Sequence, residues 1–513
     1  MDSDLASIQQ ARELAVRAKA AQDRWATASQ EEVDRAVEAM ALAGRKAAPR
    51  LAELAVEVTG LGRADHKLIK DLFSVVDVYD TIAPIRTVGP IAASGETGVV
   101  EVAEPVGVIA ALIPTTNPVS TVLFKALVSI KARNAVIMAP HPRAMEASLA
   151  ATQVLADALA SVGAPDGLVQ CMTEISLEGT RALWSHYAVS LVLATGSMAM
   201  VRDAYSSGKP TYAVGPGNVP SYLDRTVGDL DSCVAGTLTS TTFDNGTPCA
   251  SEQSVVVDAA IEQQVRSRFE SLGARFLTPD EARQLTGSLF TPAGGMNPDC
   301  VGLSAPALAE LAGLRVDPAT TVLVAAPDGV GRDHPLSMEI LTSLLKWYVV
   351  PGAEQGIARA NELVRYGGDG HTAAIWTADD HLAARYATAI RVFRVLVNTP
   401  TCFGAMGATA ALPPSVMLGT GTWGGGITAD NIGPLHLINR KRVARGIRDW
   451  RTLFANSGGQ VSGQHTGSWS GPTGAPTTEA AVAAPSGRDP SAVAEQLVQR
   501  VLARLGSDTK VGS

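Results

Sequence analysis

The chain has 513 residues, 46% hydrophobic and 18% charged, with a formal net charge of −8. That length calls for two or three domains around a large core, and the acidic balance removes the basic footprint of a nucleic-acid binder. No apolar run approaches the roughly 20 residues of a membrane span, the N-terminus lacks the basic start of a secretory signal, and the five cysteines stand singly, without metal-site or disulfide spacing, so a metal-free cytoplasmic protein is expected.

Residues 5–59 alternate Ala, Leu and Val with charged side chains at helical spacing, which predicts two or three packing helices closing at Thr59-Gly60. Another helix is expected over 67–80, and 86–105 reads as a hairpin of extended strands able to pair between subunits. From Val106 short apolar runs alternate with helical stretches, the pattern of βαβ units around a parallel sheet. Strands are expected at 106–112, 135–139, 168–171, 189–194 and 211–214, with helices near 118–132, 143–160, 177–185 and 197–207. Ligands of such a nucleotide-binding sheet sit beyond the carboxyl ends of its strands, here 114–117, 140–143 and 195–197. No G-x-G-x-x-G follows any of these strands, so the usual dinucleotide fingerprint is missing.

A second α/β domain follows, with strands at 254–257, 321–325 and 373–376 and helices near 260–272, 279–286, 305–313, 337–347 and 353–364. Near its start Cys249 sits between the turn formers Asp244, Asn245 and Gly246 and an apolar run, a stiff connection for a thiol. Alone, a free cysteine is most often a small buried hydrophobe. The Gly-rich run 418–428 lacks the Lys-Ser/Thr of a phosphate-binding loop and reads as a close-packed irregular loop. After Asn456 the composition turns to Gly, Ser, Thr and Pro, predicting a flexible linker over 457–488. An amphipathic helix is expected at 489–506, with Ala494, Leu497, Val498, Val501 and Leu505 on one face. It is too short to fold alone, and suits a groove on another protein or a return onto its own body or a sister subunit.

Asn117 in Ile-Pro-Thr-Thr-Asn-Pro, Gly196-Ser197 in Ala-Thr-Gly-Ser, the run Gly215-Pro-Gly-Asn-Val-Pro220 and Glu339 in His-Pro-Leu-Ser-Met-Glu converge on Cys249. With Asn-Thr-Pro-Thr-Cys-Phe-Gly-Ala-Met-Gly407 and Gly-His-Thr-Ala373, they make the chain, from about residue 5 to 455, resemble the aldehyde dehydrogenase superfamily. The resemblance is to its coenzyme-A-acylating branch, such as the propionaldehyde and acetaldehyde dehydrogenases of bacterial microcompartments.

That resemblance implies two doubly wound α/β domains: a Rossmann-like cofactor domain at 1–230 with an oligomerisation hairpin at 86–105, and a catalytic domain at 231–417. Residues 418–456 would return to the cofactor domain and the oligomerisation segment. Cys249 matches the nucleophile, and Asn117 the side-chain amide that joins the Cys249 N–H in binding the oxyanion. Thr195, Gly196 and Ser197 match the turn under the pyrophosphate, Glu339 the nicotinamide-ribose ligand, and Gly215 and Pro140 are expected at the cofactor too. Where hydrolytic members carry a water-activating glutamate, this chain has Val214, which cannot take a proton from water. The acyl group would then wait for coenzyme A.

Ala139 replaces the lysine that holds the adenosine ribose in hydrolytic relatives, while His141 and Arg143 leave NADP⁺ open beside NAD⁺. His371, in a Gly-Gly-Asp-Gly-His turn, reads as structural more often than as a base. The expected reaction is oxidation of propionaldehyde or acetaldehyde to the acyl-CoA. A hydrolytic dehydrogenase and a non-catalytic cargo or adaptor protein are the alternatives. By family analogy a homodimer or homotetramer is expected, enclosed in a microcompartment whose shell protein binds residues 489–505.

Overall fold

The computed structural model describes residues 2–451 apart from 94–97, 293 and 448, so the expected linker at 457–488 and helix at 489–506 lie outside the described residues. Helix Ser3–Trp25 buries Ala11, Ala15 and Ala18 along one face, the small side chains letting it lie close against its neighbours. Helix Gln30–Thr59 starts at a Ser29/Glu32 capping box and ends where Gly60 turns left-handed at φ 70°. The segment expected as one helix over 67–80 is two, Ala64–Val75 and Asp77–Ile82.

The strands are β1 (Gly89–Ala93), β2 (Val100–Pro105), β3 (Val108–Ile113), β4 (Ala135–Pro140), β5 (Val169–Cys171), β6 (Val189–Thr195) and β7 (Thr211–Val214). They continue with β8 (Val219–Leu223), β9 (Glu252–Asp258), β10 (Ala274–Phe276), β11 (Val322–Ala325), β12 (Leu344–Val350), β13 (Gly370–Trp376), β14 (Val392–Val397) and β15 (Ile438–Val443). A parallel five-stranded sheet has the order β5-β4-β3-β6-β7. Every residue of β3 and β4 is buried, as helices on both faces require. Chain order reverses between β3 and β6, the switch point at which doubly wound sheets hold ligands.

The second sheet, also parallel, has seven strands in the order β10-β11-β12-β9-β8-β13-β14. Antiparallel β1, β2 and β15 form a third, smaller sheet. Met417, Ile432, Leu437 and Ile438 join the core of the five-stranded sheet. Among the described residues no helix is long and apolar enough to cross a membrane.

Three departures from the sequence reading have local causes. β8 belongs to the seven-stranded sheet, so the expected domain boundary at 230 falls one strand late; Pro220, which cannot donate to a ladder, masks it. The helix expected at 337–347 is a short 3-10 turn, Pro335–Ser337, followed by β12. All but one of the β12 residues are buried, and a strand covered on both faces loses its alternation. β14 went unread because Arg394 interrupts its apolar run, although its burial alternates as an edge strand should.

Residues 215–218 carry the chain from the end of β7 in one sheet to the start of β8 in the other. Because β8 and β9 pair from Val219 and Glu252 onward, the segments just before them, containing Gly217 and Cys249, are held side by side.

Candidate active site

The turn before Cys249 is unusual backbone: Asp244, Asn245 and Gly246 have φ of 50°, 54° and 73°. Glycine adopts this region freely, and Asn and Asp are the side chains that tolerate it best. Polar contacts fix the turn. Asp244 accepts from the Arg63 N–H at 2.7 Å and from Thr247 Oγ1 at 2.7 Å, and Asn245 Nδ2 donates to the Gly302 carbonyl at 2.9 Å. Gly62 must be glycine for this approach, since a Cβ there would lie 2.0 Å from Asp244 Oδ1. Cys249 follows in a tight turn closed by the Ser251 N–H on the Pro248 carbonyl at 3.1 Å.

Asp244 is fully buried and pairs with Lys67 at 3.0 Å and with Lys70, both on helix Ala64–Val75. Lys70 Nζ also donates to Asn117 Oδ1, and Asn117 Nδ2 donates to Thr116 Oγ1 at 3.0 Å. Asn117, at the start of the helix that follows β3, therefore shares one ionic cluster with the turn that carries Cys249. Burial pushes the Lys67 ammonium down to about 8 and the Asp71 carboxyl well up, while the two lysines hold the Asp244 carboxyl below its usual value against burial.

On the other side of the cysteine, a Cβ on Gly217 would lie 1.9 Å from the Cys249 carbonyl oxygen. Glu339 Oε1 accepts from the Gly217 N–H at 2.6 Å. Burial pushes this carboxyl up to about 7, opposed by that N–H and by Lys346. Lys346 itself is pushed down to about 7 by burial and donates to Gln253 Oε1 at 2.8 Å.

The Cys249 thiol is pushed up to about 12, first by burial and then by the charge of Glu339, while Arg394 and Lys70 pull it back. Buried Arg394, on β14, donates to the carbonyls of Gly419 at 2.6 Å and Ala429 at 3.0 Å, so the Gly-rich loop anchors a cation that acts on the thiol. That loop is close-packed: a Cβ on Gly370 would meet the Thr420 carbonyl at 1.9 Å. His371 lies inside β13, fully buried, with Nδ1 3.0 Å from Thr372 Oγ1 and Nε2 without a partner among the described residues. Burial and Arg394 drive it down to about 3, so it is neutral at physiological pH.

Five of the expected cofactor residues lie at or just beyond the carboxyl ends of β4, β6 and β7. Thr195 ends β6 with its Oγ1 buried and without a partner among the described residues, Gly196 follows, and Ser197 Oγ caps helix Met198–Tyr205 by accepting the Met200 N–H. Pro140 ends β4, separated from β6 by β3. Gly215 opens the crossing between sheets, after buried Val214. A buried hydroxyl beside a helix start at strand ends fits the pyrophosphate of a dinucleotide. Buried Ala139 offers no ribose contact, and the Arg143 guanidinium is turned onto the Thr59 carbonyl at 3.1 Å. Among the described residues no group of three or more His, Cys, Asp or Glu is placed to hold a metal.

Sequence reasoning missed Lys70, Asp244 as an ion partner, Arg394 and Lys346. The first had a signal: Lys67, Lys70 and Asp71 occupy one face of a helix at spacings of three and four, and that face also carries buried Ser74.

The aldehyde dehydrogenase family model matches residues 2–284, and the chain belongs to that family. It is 39% identical over 437 residues to the bifunctional aldehyde-alcohol dehydrogenase of Escherichia coli (strain K12), covering 84% of this chain and 49% of that protein. The chain thus spans about half the length of that curated relative. A crystal structure of an acetylating aldehyde dehydrogenase from Geobacillus thermoglucosidasius is 41% identical with a TM-score of 0.86, covering 88% of this chain and 99% of that one. Propionaldehyde dehydrogenase from Rhodopseudomonas palustris, solved with bound CoA and an acylated cysteine, is 27% identical with a TM-score of 0.76 over 85% of this chain and 97% of that one.

Proposed function

We propose that the chain oxidises a short aliphatic aldehyde, propionaldehyde or acetaldehyde, to its acyl-CoA through a thioester on Cys249, with NAD⁺ as oxidant. The observation that carries this reading is buried Val214 at the head of the segment whose Gly217 packs on Cys249, where a water-activating carboxylate would otherwise stand. Similarity to an acetylating enzyme and to one solved with CoA supports it.

Cys249 loses its proton and Sγ attacks the aldehyde carbon, leaving a negative charge on the former carbonyl oxygen. Asn117 Nδ2 and the Cys249 N–H hold that oxygen; removal of one such donor costs about 10²- to 10³-fold in rate. A nicotinamide held there would accept the hydride that leaves this carbon as its C=O re-forms, giving a thioester on Cys249. The CoA thiolate then attacks the thioester and Cys249 leaves as thiolate. Aldehyde, NAD⁺ and CoA thus give acyl-CoA, NADH and a proton.

Thr195, Gly196 and Ser197 hold the pyrophosphate in this reading, Pro140 and Gly215 line the cofactor, and Glu339 takes the nicotinamide ribose. NAD⁺ is favoured over NADP⁺ because Arg143 is committed to the Thr59 carbonyl. The sheet of β1, β2 and β15 joins subunits into dimers or tetramers, and residues 489–505 dock on a microcompartment shell protein. A reporter fused to that tail and diffuse in cells with assembled shells would refute the last point.

The test is product identity. Purified chain given propionaldehyde, NAD⁺ and CoA yields propionyl-CoA by mass spectrometry, and propionate as the main product contradicts the proposal.

A further inference from the structure

We propose that Lys70 is a positioning residue, which orients the Asn117 side chain so that its amide nitrogen, and not its oxygen, faces the reacting carbonyl. The inference rests on the reading of Asn117 as an oxyanion donor. The two ends of a carboxamide have nearly the same shape, so only their partners decide which end faces the substrate. An ammonium has three donors and no acceptor, and it can satisfy only the oxygen. Lys70 Nζ donates to Asn117 Oδ1, and the Nδ2 end keeps one N–H on Thr116 Oγ1, leaving the second for a ligand.

The cation cannot drift. Lys70 is 5% exposed and paired with Asp244, which is wholly buried. Lys67 braces the same site by donating to the Thr116 carbonyl at 3.0 Å and to Asp244 at 3.0 Å. Because Asp244 belongs to the left-handed turn that carries Cys249, the Lys70 ammonium ties the donor beyond β3 to the nucleophile before β9. A mere structural clamp would need the Lys70 contact to Asp244 but not the one to Asn117.

The decisive experiment is a double-mutant cycle of Lys70→Met with Asn117→Ala, with Lys70→Arg as the charge-preserving rescue. It is read in two ways: steady-state aldehyde oxidation with CoA, and the burst of p-nitrophenolate from p-nitrophenyl acetate, an acyl transfer to Cys249 that needs no nicotinamide. Lys70→Met is expected to lower kcat by about 10- to 100-fold with the KM for aldehyde and NAD⁺ within about threefold, and Lys70→Arg to recover most of the loss. In the Asn117→Ala background the added effect of Lys70→Met should shrink to about twofold or less. Equal losses in both backgrounds, or a fully active Lys70→Met enzyme, overturn the inference while leaving the functional reading standing. Should Lys70→Met not fold, Lys70→Gln takes its place in the cycle under the same criteria. A wild-type chain inert to aldehyde overturns both.

Discussion

Gly217 lies against the carbonyl of Cys249 so closely that a methyl group on it would come within 1.9 Å of that oxygen. The contact is a product of register, since β8 and β9 pair side by side immediately after these two residues. It joins the crossing between the two large sheets to the backbone of Cys249.

Gly217→Ala should therefore displace the Cys249 turn. A shift on the order of 1 Å at a reacting centre costs about 10²-fold in rate. The expected result is a kcat lowered by about that factor, and wild-type kcat in a folded Gly217→Ala enzyme would show that the turn yields freely.

Thiol reactivity should follow the surroundings of Cys249. With the thiol pushed up to about 12, alkylation of the free enzyme by iodoacetamide should keep rising between about pH 7 and 9, near tenfold per unit, with no plateau. Glu339 raises the thiol when ionised, and burial pushes its own carboxyl up to about 7. Glu339→Gln should thus speed alkylation above about pH 7 and change nothing near pH 5, where the wild-type carboxyl is already neutral. A plateau below pH 8, or equal rates for the two proteins at pH 9, would count against this picture.

Asp244→Ala should be severely destabilising, because it strands Lys67 and Lys70 without their shared buried counter-ion. Breaking a buried pair from one side costs about 3–5 kcal/mol, measurable by urea unfolding. The folded carboxyl titrates below its usual value, so its contribution is present above the ordinary aspartate range and is lost as pH falls through the folded pKa. Asp244→Ala should accordingly lose its deficit against wild type under acid conditions.

Arg394→Met removes a cation that favours the thiolate and also strips a donor from the Gly419 and Ala429 carbonyls. Turnover should fall by about tenfold or more and alkylation at pH 8 should slow with it. Slower turnover with unchanged alkylation would assign Arg394 to holding the loop alone.

The parallel sheets were legible because βαβ units repeat an apolar run, a turn and an amphipathic helix, as around β3, β4 and β6. The turn before Cys249 was legible too: Asp244, Asn245 and Gly246 are residues that accept the left-handed backbone found there. Strands β8 and β12 were not, since Pro220 interrupts one and burial on both faces erases the period of the other. The ion cluster escaped for a different reason. Lys70, Asn117 and Asp244 stand far apart in sequence, and a lysine on a helix ordinarily reads as solvated surface. Only the packing of Ala64–Val75 against the Cys249 turn gives that lysine its partners.

The most direct measurement is a single-turnover experiment without any added thiol. Enzyme, propionaldehyde and NAD⁺ should release one NADH per active chain and stop, with the acyl mass retained on Cys249 in the intact protein until CoA discharges it as propionyl-CoA. Sustained NADH release with free propionate accumulating in thiol-free buffer would contradict the account.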